Sequence, residues 1–334
     1  MYSRFYSEEA NGVPAVSTGG LPDTKIVQAL VAEAHDRYKS LSEGAMADYI
    51  PALARTDRTL FAICVTDTRG ALYSAGDAGY EFTIQSVAKP FVFALVCQAL
   101  GGGEARRKIG VNSTGLSFNS VMAIEMNDAR TMNPMVNAGA IATVSLAPGA
   151  TANAKWNFIR EGLSGFAGRE LTVNEEVYES EAATNQRNQG IARLLESYGR
   201  MYFDPLEATD VYTRQCSLNV TAKDLAVMGA TLADGGVNPI TKKQVVDAER
   251  CKRVLAVLAT AGMYEQSGDW LYEVGLPGKS GVSGGIVTIS PGKGGVGTFA
   301  PLLDESGNSI KGQLATKFLS ERLGLNLFAS KFPN

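Results

Sequence analysis

The spacing of apolar residues predicts the regular elements near the beginning of the chain. Residues 24–43 predict an amphipathic helix, because apolar side chains recur at intervals of three and four. Residues 60–65 and 71–75 predict the strands of a β-hairpin, since a Gly-containing turn at 66–70 separates them. The apolar face of the helix comprises Ile26, Leu30, Val31 and Ala34.

The middle and the end of the chain differ in pattern. Residues 86–255 are mainly helical in their apolar spacing, with loops rich in Asn, Gly and Thr. Short apolar runs separated by Gly and Pro then predict three strands, at 270–276, 284–289 and 296–302. The other predicted elements are a tight turn at 293–298, a second turn at 304–308 and a closing helix at 311–323.

This order of elements predicts an α+β fold. Strands near both ends of the chain would join in one antiparallel sheet, flanked by the first and last helices, with a helical subdomain inserted between them. We therefore expect residues 1–334 to form a single domain with two subdomains. One comprises approximately residues 1–85 with 256–334, and the other comprises residues 86–255.

Composition and charge narrow the class of protein. Of the 334 residues, 45% are hydrophobic and 19% are charged, as in an ordinary soluble globular protein. The formal net charge is −3 and the basic residues form no stripe, whereas binding of nucleic-acid phosphates requires a basic surface. We therefore expect no nucleic-acid partner.

The sequence predicts neither export nor insertion into a membrane. Met1–Val13 is polar and lacks the apolar core of a signal peptide, and the apolar run Phe91–Leu100 is too short to span a bilayer. Widely spaced cysteines without a C-x-x-C pair favour buried free thiols in a reducing compartment. They are Cys64, Cys97, Cys216 and Cys251. We expect a cytoplasmic protein without membrane partners.

A single histidine restricts the catalytic chemistry. His35 lies in a charged helical stretch, on the face predicted to meet solvent, and no nucleophile motif lies near it. A zinc site built on two histidines is excluded, and a nucleophile activated by histidine is disfavoured. A hydrolase of this sequence needs another base, and we expect neither a metal nor an organic cofactor.

The first motif with chemical content is Ser86-Val-Ala-Lys89, directly before an apolar helical run. A serine at the start of a buried helix lies near unpaired backbone amides, and a lysine three residues later shares its helical face. Burial lowers the pKa of a lysine, so that neutral Lys89 could accept the proton of Ser86. Alone the motif is common, and the alternative is an N-cap serine beside a solvated lysine.

The second motif is Lys279-Ser280-Gly281. A K-[ST]-G triplet that opens a strand, far downstream of S-x-x-K, is the other half of the pattern of penicillin-binding proteins and β-lactamases. Small residues at this place let the backbone approach a substrate, so that a backbone N–H can hold an oxyanion. The two motifs in this order are far more specific than either motif alone.

With both motifs in place, the sequence resembles the serine-dependent glutaminase family, of bacterial type and with the β-lactamase-like fold of penicillin-binding proteins. The resemblance extends from about Asp23 to Leu323, and it implies one glutaminase catalytic domain that forms a homodimer or homotetramer. The matching segments are Ala47–Pro51, Gln85–Pro90, Asn133–Ile141, Glu181 with Arg187-Asn188, Tyr212 with Cys216-Ser217, Gly262–Tyr264 and Gly275–Val282.

The resemblance also implies roles for individual residues. It makes Ser86 the nucleophile and Lys89 its base, with Tyr264 beside this pair. Backbone N–H groups of Ser86 and Val282 would form the oxyanion hole. The residues implied to line the glutamine pocket are Tyr49, Ser86, Asn137, Glu181, Asn188, Tyr212, Tyr264 and Val282.

These residue types suit free L-glutamine as substrate. Glu181 is a partner for its ammonium group, whereas Asn137, Asn188 and tyrosine hydroxyls can donate to its carboxylate. Attack by Ser86 would give a γ-glutamyl ester and ammonia, and water would then release glutamate. We expect Tyr264 to relay a proton to the leaving ammonia, because a nearby lysine cation lowers the pKa of a phenol.

Other functions share parts of this pattern. A β-lactam-reactive acyl-enzyme uses the same two motifs, but the sequence lacks an export signal and its Glu-Asn-Tyr set suits a free amino acid. A non-catalytic glutamine-binding module would keep the pocket, although intact Ser86, Lys89 and Tyr264 argue against it. A third alternative that the residue types leave open is a related amidase that acts on another amide. Singly, each pocket residue also has an ordinary explanation, such as a helix cap for Asn137 or a surface carboxylate for Glu181.

Overall fold

Strands near both ends of the chain flank a helical middle, as the apolar spacing predicted. The computed structural model describes residues 19–126, 130 and 132–329. The strands are β1 (Ala62–Asp67), β2 (Leu72–Gly76), β3 (Phe82–Thr83), β4 (Asn219–Val220), β5 (Gly278–Ser280), β6 (Gly285–Ser290) and β7 (Gly294–Phe299). The helices are α1 (Thr24–Tyr38), α2 (Ala88–Leu100), α3 (Gly102–Ile109), α4 (Val121–Glu125), α5 (Asn137–Ser145), α6 (Ala152–Ala167), α7 (Glu175–Ala182), α8 (Gln186–Ser197), α9 (Pro205–Cys216), α10 (Ala222–Ala233), α11 (Ala248–Ala261), α12 (Ser267–Glu273) and α13 (Ile310–Arg322). Single turns of 3₁₀ helix lie at Leu53–Arg55, Gln85–Val87 and Tyr264–Gln266.

The main sheet joins the two ends of the chain. Its strand order is β2-β1-β7-β6-β5, and every neighbouring pair is antiparallel. The hairpin strand β1 lies beside β7, with Ile63 opposite Thr298 and Val65 opposite Val296. The predicted α+β fold, with an antiparallel sheet built from N- and C-terminal segments, is therefore confirmed.

Helices cover both faces of this sheet. On one face, Val27 and Val31 of α1 pack with Phe318 of α13 against Ile63 and Val65. On the other face, α10 lies over β7 and β6, and behind it the core continues into the helical middle of the chain. Two layers of helix are needed because β1, β6 and β7 are buried along their whole length on both sides.

The segment at 293–298, predicted as a tight turn, forms most of strand β7. Gly295 and Gly297 serve close packing rather than chain reversal, because α10 crosses directly over them. A Cβ atom added at Gly295 would collide with the Ala226 carbonyl oxygen and the Ala230 amide nitrogen of that helix. Glycine inside a strand often marks a close approach of another backbone, and here it sets the distance between helix and sheet.

We expect Gly295→Ala to lower the free energy of unfolding by about 1–3 kcal/mol, because the new methyl group must displace a helix from the sheet. Chemical denaturation measures the change. The matched control is Gly190→Ala in α8, where an added Cβ meets no atom within 4 Å. Removal of a helical glycine there is expected to stabilise by about 0.5–1 kcal/mol. Equal effects of the two substitutions would contradict this account of β7.

The strand predicted at 270–276 is wrong. This segment contains most of helix α12, and the strand begins two residues after it, at Gly278. The buried side chains of Trp270 and Val274 are four residues apart and fit one face of a helix. The Trp270 indole N–H donates to the Leu276 carbonyl at 2.7 Å, which holds the ring against the start of β5.

The first helix also departs from its prediction in detail. It ends at Tyr38 rather than at 43, and its buried face includes Val27 while Ile26 is 51% exposed. His35 does not point into solvent. Its ring is half-buried and stacks on Phe61, with ring centroids 5.0 Å apart. The closing helix and the hairpin are confirmed.

The prediction of buried free thiols is confirmed for all four cysteines. Within the part of the chain that the structure describes, we find no helix of the length and apolar character needed to cross a bilayer. The prediction that Met1–Val13 is no signal peptide lies outside the described residues.

Candidate active site

Ser86 is buried at the junction between the sheet and the helical middle of the chain. It lies in the 3₁₀ turn Gln85–Val87, which connects β3 to α2. The preceding residue, Gln85, adopts a left-handed φ of 49°, and Tyr264 adopts a φ of 55°. Such a conformation costs about 1–3 kcal/mol for a residue with a side chain, and it tends to occur where a site needs a particular side-chain direction. Strain is thus stored at the residue directly before Ser86 and at Tyr264, both of them part of the candidate site.

Lys89 lies in the first turn of α2, and its side chain is only 1% exposed. Its Nζ donates to the Met135 carbonyl at 3.2 Å and to Asn137 Oδ1 at 2.7 Å. Burial lowers the pKa of Lys89 to about 8, while Cys216 and Glu181 act in the opposite direction. A large fraction of this amine is therefore neutral near pH 8, which is the state that a base requires.

Tyr264 links the serine to the second motif. Its hydroxyl donates to the Ser280 carbonyl at 3.2 Å. Burial raises the pKa of Tyr264 to about 12, although hydrogen bonds with Ser86 and Ser280 oppose the shift. The expectation of a lowered pKa is therefore wrong, because the loss of water around the buried phenol outweighs these hydrogen bonds. Tyr264 is a neutral donor at physiological pH.

Lys279 of the second motif is fully buried next to this tyrosine. Its Nζ lies 4.0 Å from the centre of the Tyr264 ring and donates to the Ser280 carbonyl at 2.8 Å. Burial, reinforced by the charge of Lys89, holds the pKa of Lys279 well below the ordinary value of lysine. Two buried lysines therefore flank the serine and the tyrosine from different elements.

A cavity of about 340 Å³ opens beside Ser86, a volume typical of sites for small molecules. Most of the predicted site residues line it, although each comes from a different element or connection of the chain. They are Tyr49, Ser86, Asn137, Glu181, Asn188, Tyr212 and Val282. Lys89 and Tyr264 lie behind this wall. The fold thus brings all nine predicted residues together.

Three polar side chains form a connected network in this wall. Asn137 begins α5, and its Nδ2 donates to Asn188 Oδ1 of α8 at 2.9 Å. Its Oδ1 accepts from Tyr212 of α9 at 3.3 Å, in addition to Lys89. Both ends of the Asn137 carboxamide are therefore occupied by protein groups, one of them the predicted base.

Glu181 provides the negative charge of the cavity. It ends the buried face of α7, and burial raises its pKa to about 7, partly offset by Gln85 and Lys89. Gln85 Nε2 donates to its Oε2 at 3.3 Å. Among the residues that line this cavity in the described parts of the chain, Glu181 is the single carboxylate. A carboxylate at this depth that forms no ion pair within the described residues is a place for a cationic ligand group.

Two predicted residues occupy the rim and the floor of the cavity. Tyr49 lies in the connection before β1, and its side chain is 55% exposed at the mouth. Val282 follows β5 in a tight loop in which the Gly284 N–H donates to the Gly281 carbonyl. The backbone of Val282 lies beside the serine turn, since Gly281 approaches the Ile84 carbonyl.

Sequence reasoning missed two residues of this site. Gln85 was quoted as part of a motif, but neither its strained backbone nor its bond to Glu181 was foreseen. Lys279 was used only as part of the K-[ST]-G motif that opens a strand, and the burial of its amine was not predicted. A lysine followed by small residues in a buried strand was the available signal. For a possible metal, no group of three His, Cys, Asp or Glu side chains comes together within the described ranges.

Comparison with known proteins agrees with this geometry. The family model described as Glutaminase matches residues 44–328. "Glutaminase 2" of Yersinia pestis is 64% identical over 95% of this chain and 93% of its own length. The glutaminase of Colwellia psychrerythraea is 48% identical over 92% of this chain and 99% of its own length.

Solved structures agree with the fold. A protein titled "Probable glutaminase ybaS" superposes with a TM-score of 0.91 at 44% identity, over 92% of this chain and all of its own. The Bacillus subtilis glutaminase YbgJ, in covalent complex with 5-oxo-L-norleucine, superposes with a TM-score of 0.82 at 32% identity, over 90% of this chain and 99% of its own. The fold is therefore β-lactamase-like, and the resemblance seen in the sequence is confirmed. The chain belongs to the glutaminase family of amidohydrolase enzymes.

Proposed function

We propose that the chain hydrolyses L-glutamine to L-glutamate and ammonia through a γ-glutamyl ester on Ser86, with Lys89 as the base. The observation that carries this proposal is one cavity in which Ser86 and the lone carboxylate Glu181 both face the ligand space, while a buried amine with a pKa of about 8 lies behind. A free amino acid with a side-chain amide matches this combination of nucleophile, base and anion.

The first half of the reaction forms the ester. Ser86 Oγ attacks the amide carbon as its proton passes to Lys89 Nζ, and the carbonyl oxygen becomes an oxyanion. Backbone N–H groups of Ser86 and Val282 would hold that oxyanion. The carbon–nitrogen bond then breaks, and the leaving nitrogen takes a proton and departs as ammonia.

Tyr264 is suited to deliver this proton. Because burial raises its pKa to about 12, it stays protonated until a strongly basic nitrogen forms next to it. It gives its proton to the leaving nitrogen and regains one from the Lys89 ammonium, so that both groups end neutral. In the second half, Lys89 takes a proton from water, the resulting hydroxide breaks the ester, and Ser86 recovers its proton.

Recognition of the amino acid requires groups for both of its charges. Glu181 is the partner proposed for the α-ammonium, since it is the carboxylate of this cavity. Asn188 and the hydroxyl of Tyr49 at the mouth are proposed for the α-carboxylate. Tyr212 closes the wall between them. A substrate lacking either charge would leave a buried polar group unpaired and would bind more weakly.

The relatives support a covalent route. The B. subtilis glutaminase gives a covalent complex by reaction with 6-diazo-5-oxo-L-norleucine, and it shares this fold at 32% identity. A covalent adduct of that kind requires a nucleophile inside the substrate pocket, the position that Ser86 occupies in this chain.

The test is release of products from L-glutamine by the purified protein. We expect ammonia and glutamate in equal amounts. Release from L-asparagine is expected to be much slower, because its shorter side chain cannot reach Ser86 while its α-ammonium and α-carboxylate groups are bound. Separate assays for ammonia and glutamate measure the ratio. A folded protein that binds glutamine but releases no ammonia would instead be a binding module, and release from another amide would identify a different amidase.

The β-lactam alternative is tested on the same sample. Incubation with a penicillin followed by intact-mass measurement is expected to show no acyl adduct, because the groups proposed to bind the substrate suit the two charges of a free amino acid. A stable penicilloyl adduct combined with absent glutamine turnover would replace the proposed function with that of a β-lactam-reactive acyl-enzyme.

The proposal extends to the organisation of the protein. The site lies where the described parts of residues 1–85 with 256–334 meet those of residues 86–255, which supports the predicted pair of subdomains within one catalytic domain. Family membership supports a homodimer or homotetramer, and four free buried thiols support a cytoplasmic setting. Sedimentation of the purified protein measures the oligomeric state.

A further inference from the structure

Asn137 connects the base to the substrate wall. Its Oδ1 accepts from Lys89 Nζ at 2.7 Å, and its Nδ2 donates to Asn188 Oδ1 at 2.9 Å. The residue is 8% exposed, and its backbone N–H is fixed by the Phe118 carbonyl at 2.8 Å. Both the backbone and the carboxamide are therefore held in place.

The network fixes which way the carboxamide points. Oδ1 faces two donors, the Lys89 amine and the Tyr212 hydroxyl, whereas Nδ2 faces the Asn188 oxygen. A carboxamide turned by 180° would place an N–H against the amine and lose both acceptor contacts. Only the orientation seen here leaves the lysine lone pair free of a competing donor.

The tetrahedral geometry of the neutral amine then determines the direction of its lone pair. A neutral lysine amine has two N–H groups and one lone pair in a tetrahedral arrangement. When the Met135 carbonyl and Asn137 accept these two hydrogens, one acceptor each, the lone pair takes a remaining direction. Ser86 lies three residues before Lys89, on the same side of the chain.

We propose that Asn137 is a positioning residue that aims the lone pair of Lys89 at Ser86 and links the base to Asn188, the proposed carboxylate contact. This inference rests on the proposed function. It departs from the role that the family resemblance implied for Asn137, because the side chain acts through Lys89 instead of serving mainly as a donor to the substrate.

Two substitutions at Asn137 are expected to move the acid limb of the pH profile of kcat/KM in opposite directions. Asn137→Asp places a carboxylate against the amine, which favours the ammonium, so that the limb moves up by about one pH unit or more. Asn137→Ala removes an acceptor that favours the ammonium, so that the limb moves down. A residue that only binds substrate would change KM and leave the limb in place.

Other titratable groups around Lys89 are the same in all these variants. Those with an electrostatic or close contact to it are Glu181, Cys216, Tyr212 and Lys279. Asn185→Asp is the matched control for added charge, since Asn185 lines the same cavity but donates to Thr213 Oγ1 at 3.2 Å. The acid limb of the pH profile of kcat/KM is expected to lie at the same pH in Asn185→Asp as in the parent.

A readout without turnover separates this inference from the proposed function. With lysine labelled by ¹³C at Cε, NMR titration follows the Lys89 amine directly, and the Lys89→Met spectrum identifies its signal. We expect the midpoint to rise in Asn137→Asp and to fall in Asn137→Ala. Unmoved midpoints, or an equal rise in Asn185→Asp, would overturn the positioning role, whether or not the parent releases ammonia. If Asn137→Asp does not fold, the direction of the Asn137→Ala shift decides.

Discussion

Replacement of Ser86 by alanine is expected to lower kcat for ammonia release from L-glutamine by roughly 10⁴-fold or more, because the attacking oxygen is lost. The hydroxyl is small and buried beside Tyr264, so that the variant is expected to fold. The parent is also expected to gain a covalent adduct from 6-diazo-5-oxo-L-norleucine, measured by intact mass. Ser86→Ala is expected to gain none.

The control for a lost buried hydroxyl is Ser320→Ala. Ser320 lies on α13, is 1% exposed and donates to the Val274 carbonyl, away from the cavity. It is expected to cost about 1 kcal/mol of stability while kcat stays unchanged. If folded Ser86→Ala kept the activity of the parent, glutamine could still be the substrate, but the ester route would have to be abandoned.

Replacement of Lys89 by methionine is expected to lower kcat by roughly 10³-fold, because the general base is removed while the length of the side chain is kept. It also changes the pH dependence. In the proposed mechanism the base is the neutral amine, so that kcat/KM of the parent is expected to rise with pH through about 8, the lowered pKa of Lys89. Glu181, with a pKa raised to about 7, must also lose its proton, which steepens the same limb. The residual activity of Lys89→Met is expected to lack the component near pH 8.

Although Lys89→Met is expected to lose activity, its stability is expected to stay the same or to rise. Because the pKa of Lys89 falls on folding, the folded chain resists protonation, and the penalty is full below pH 8 and fades as the pH rises toward the unfolded value of 10.5. The size of the shift corresponds to roughly 3 kcal/mol. Lys89→Met removes this penalty, so that its stability at pH 7 is expected to match or exceed that of the parent despite the lost hydrogen bonds.

Lys155→Met is the matched control for a buried lysine. Lys155 is 5% exposed and donates to the carbonyls of Ser145 and Ala147, where it holds the end of α5. The Lys155→Met variant is expected to be less stable than the parent, with kcat and the acid limb of the pH profile of kcat/KM unchanged. A Lys89→Met variant that behaved like Lys155→Met would show that the amine is structural and that another group activates Ser86.

Local sequence patterns were sufficient to predict the catalytic pair and the hairpin. Ser86 and Lys89 are three residues apart, so that helix geometry alone places them on one side, and the apolar run after them already indicated burial. The sequence predicted the hairpin because two short apolar runs, at 60–65 and 71–75, flank a Gly-containing turn. The remaining pocket residues came from resemblance to a family, since no local rule connects positions as distant as 49 and 282.

Other features could not be read from local pattern. The tight turn expected at 293–298 is a strand, because a glycine run looks the same whether the chain reverses or another helix presses on it. The segment expected to be a strand at 270–276 is instead the end of helix α12 and the connection after it, because seven residues fit either period when the register of burial is unknown. The direction of the Tyr264 shift was misjudged for a related reason, since burial of the phenol is a property of the assembled site.

The sequence by itself determined the elements with strong periodicity, the pairing of S-x-x-K with K-[ST]-G, and through these the family. Such signals depend on spacing along the chain, which folding does not change. Only the tertiary structure decided the electrostatics: the lowered pKa of Lys89, the raised pKa of Glu181, and the hydrogen bonds that give Asn137 its direction. These depend on which groups from distant segments exclude water together, and desolvation and hydrogen bonding act through space.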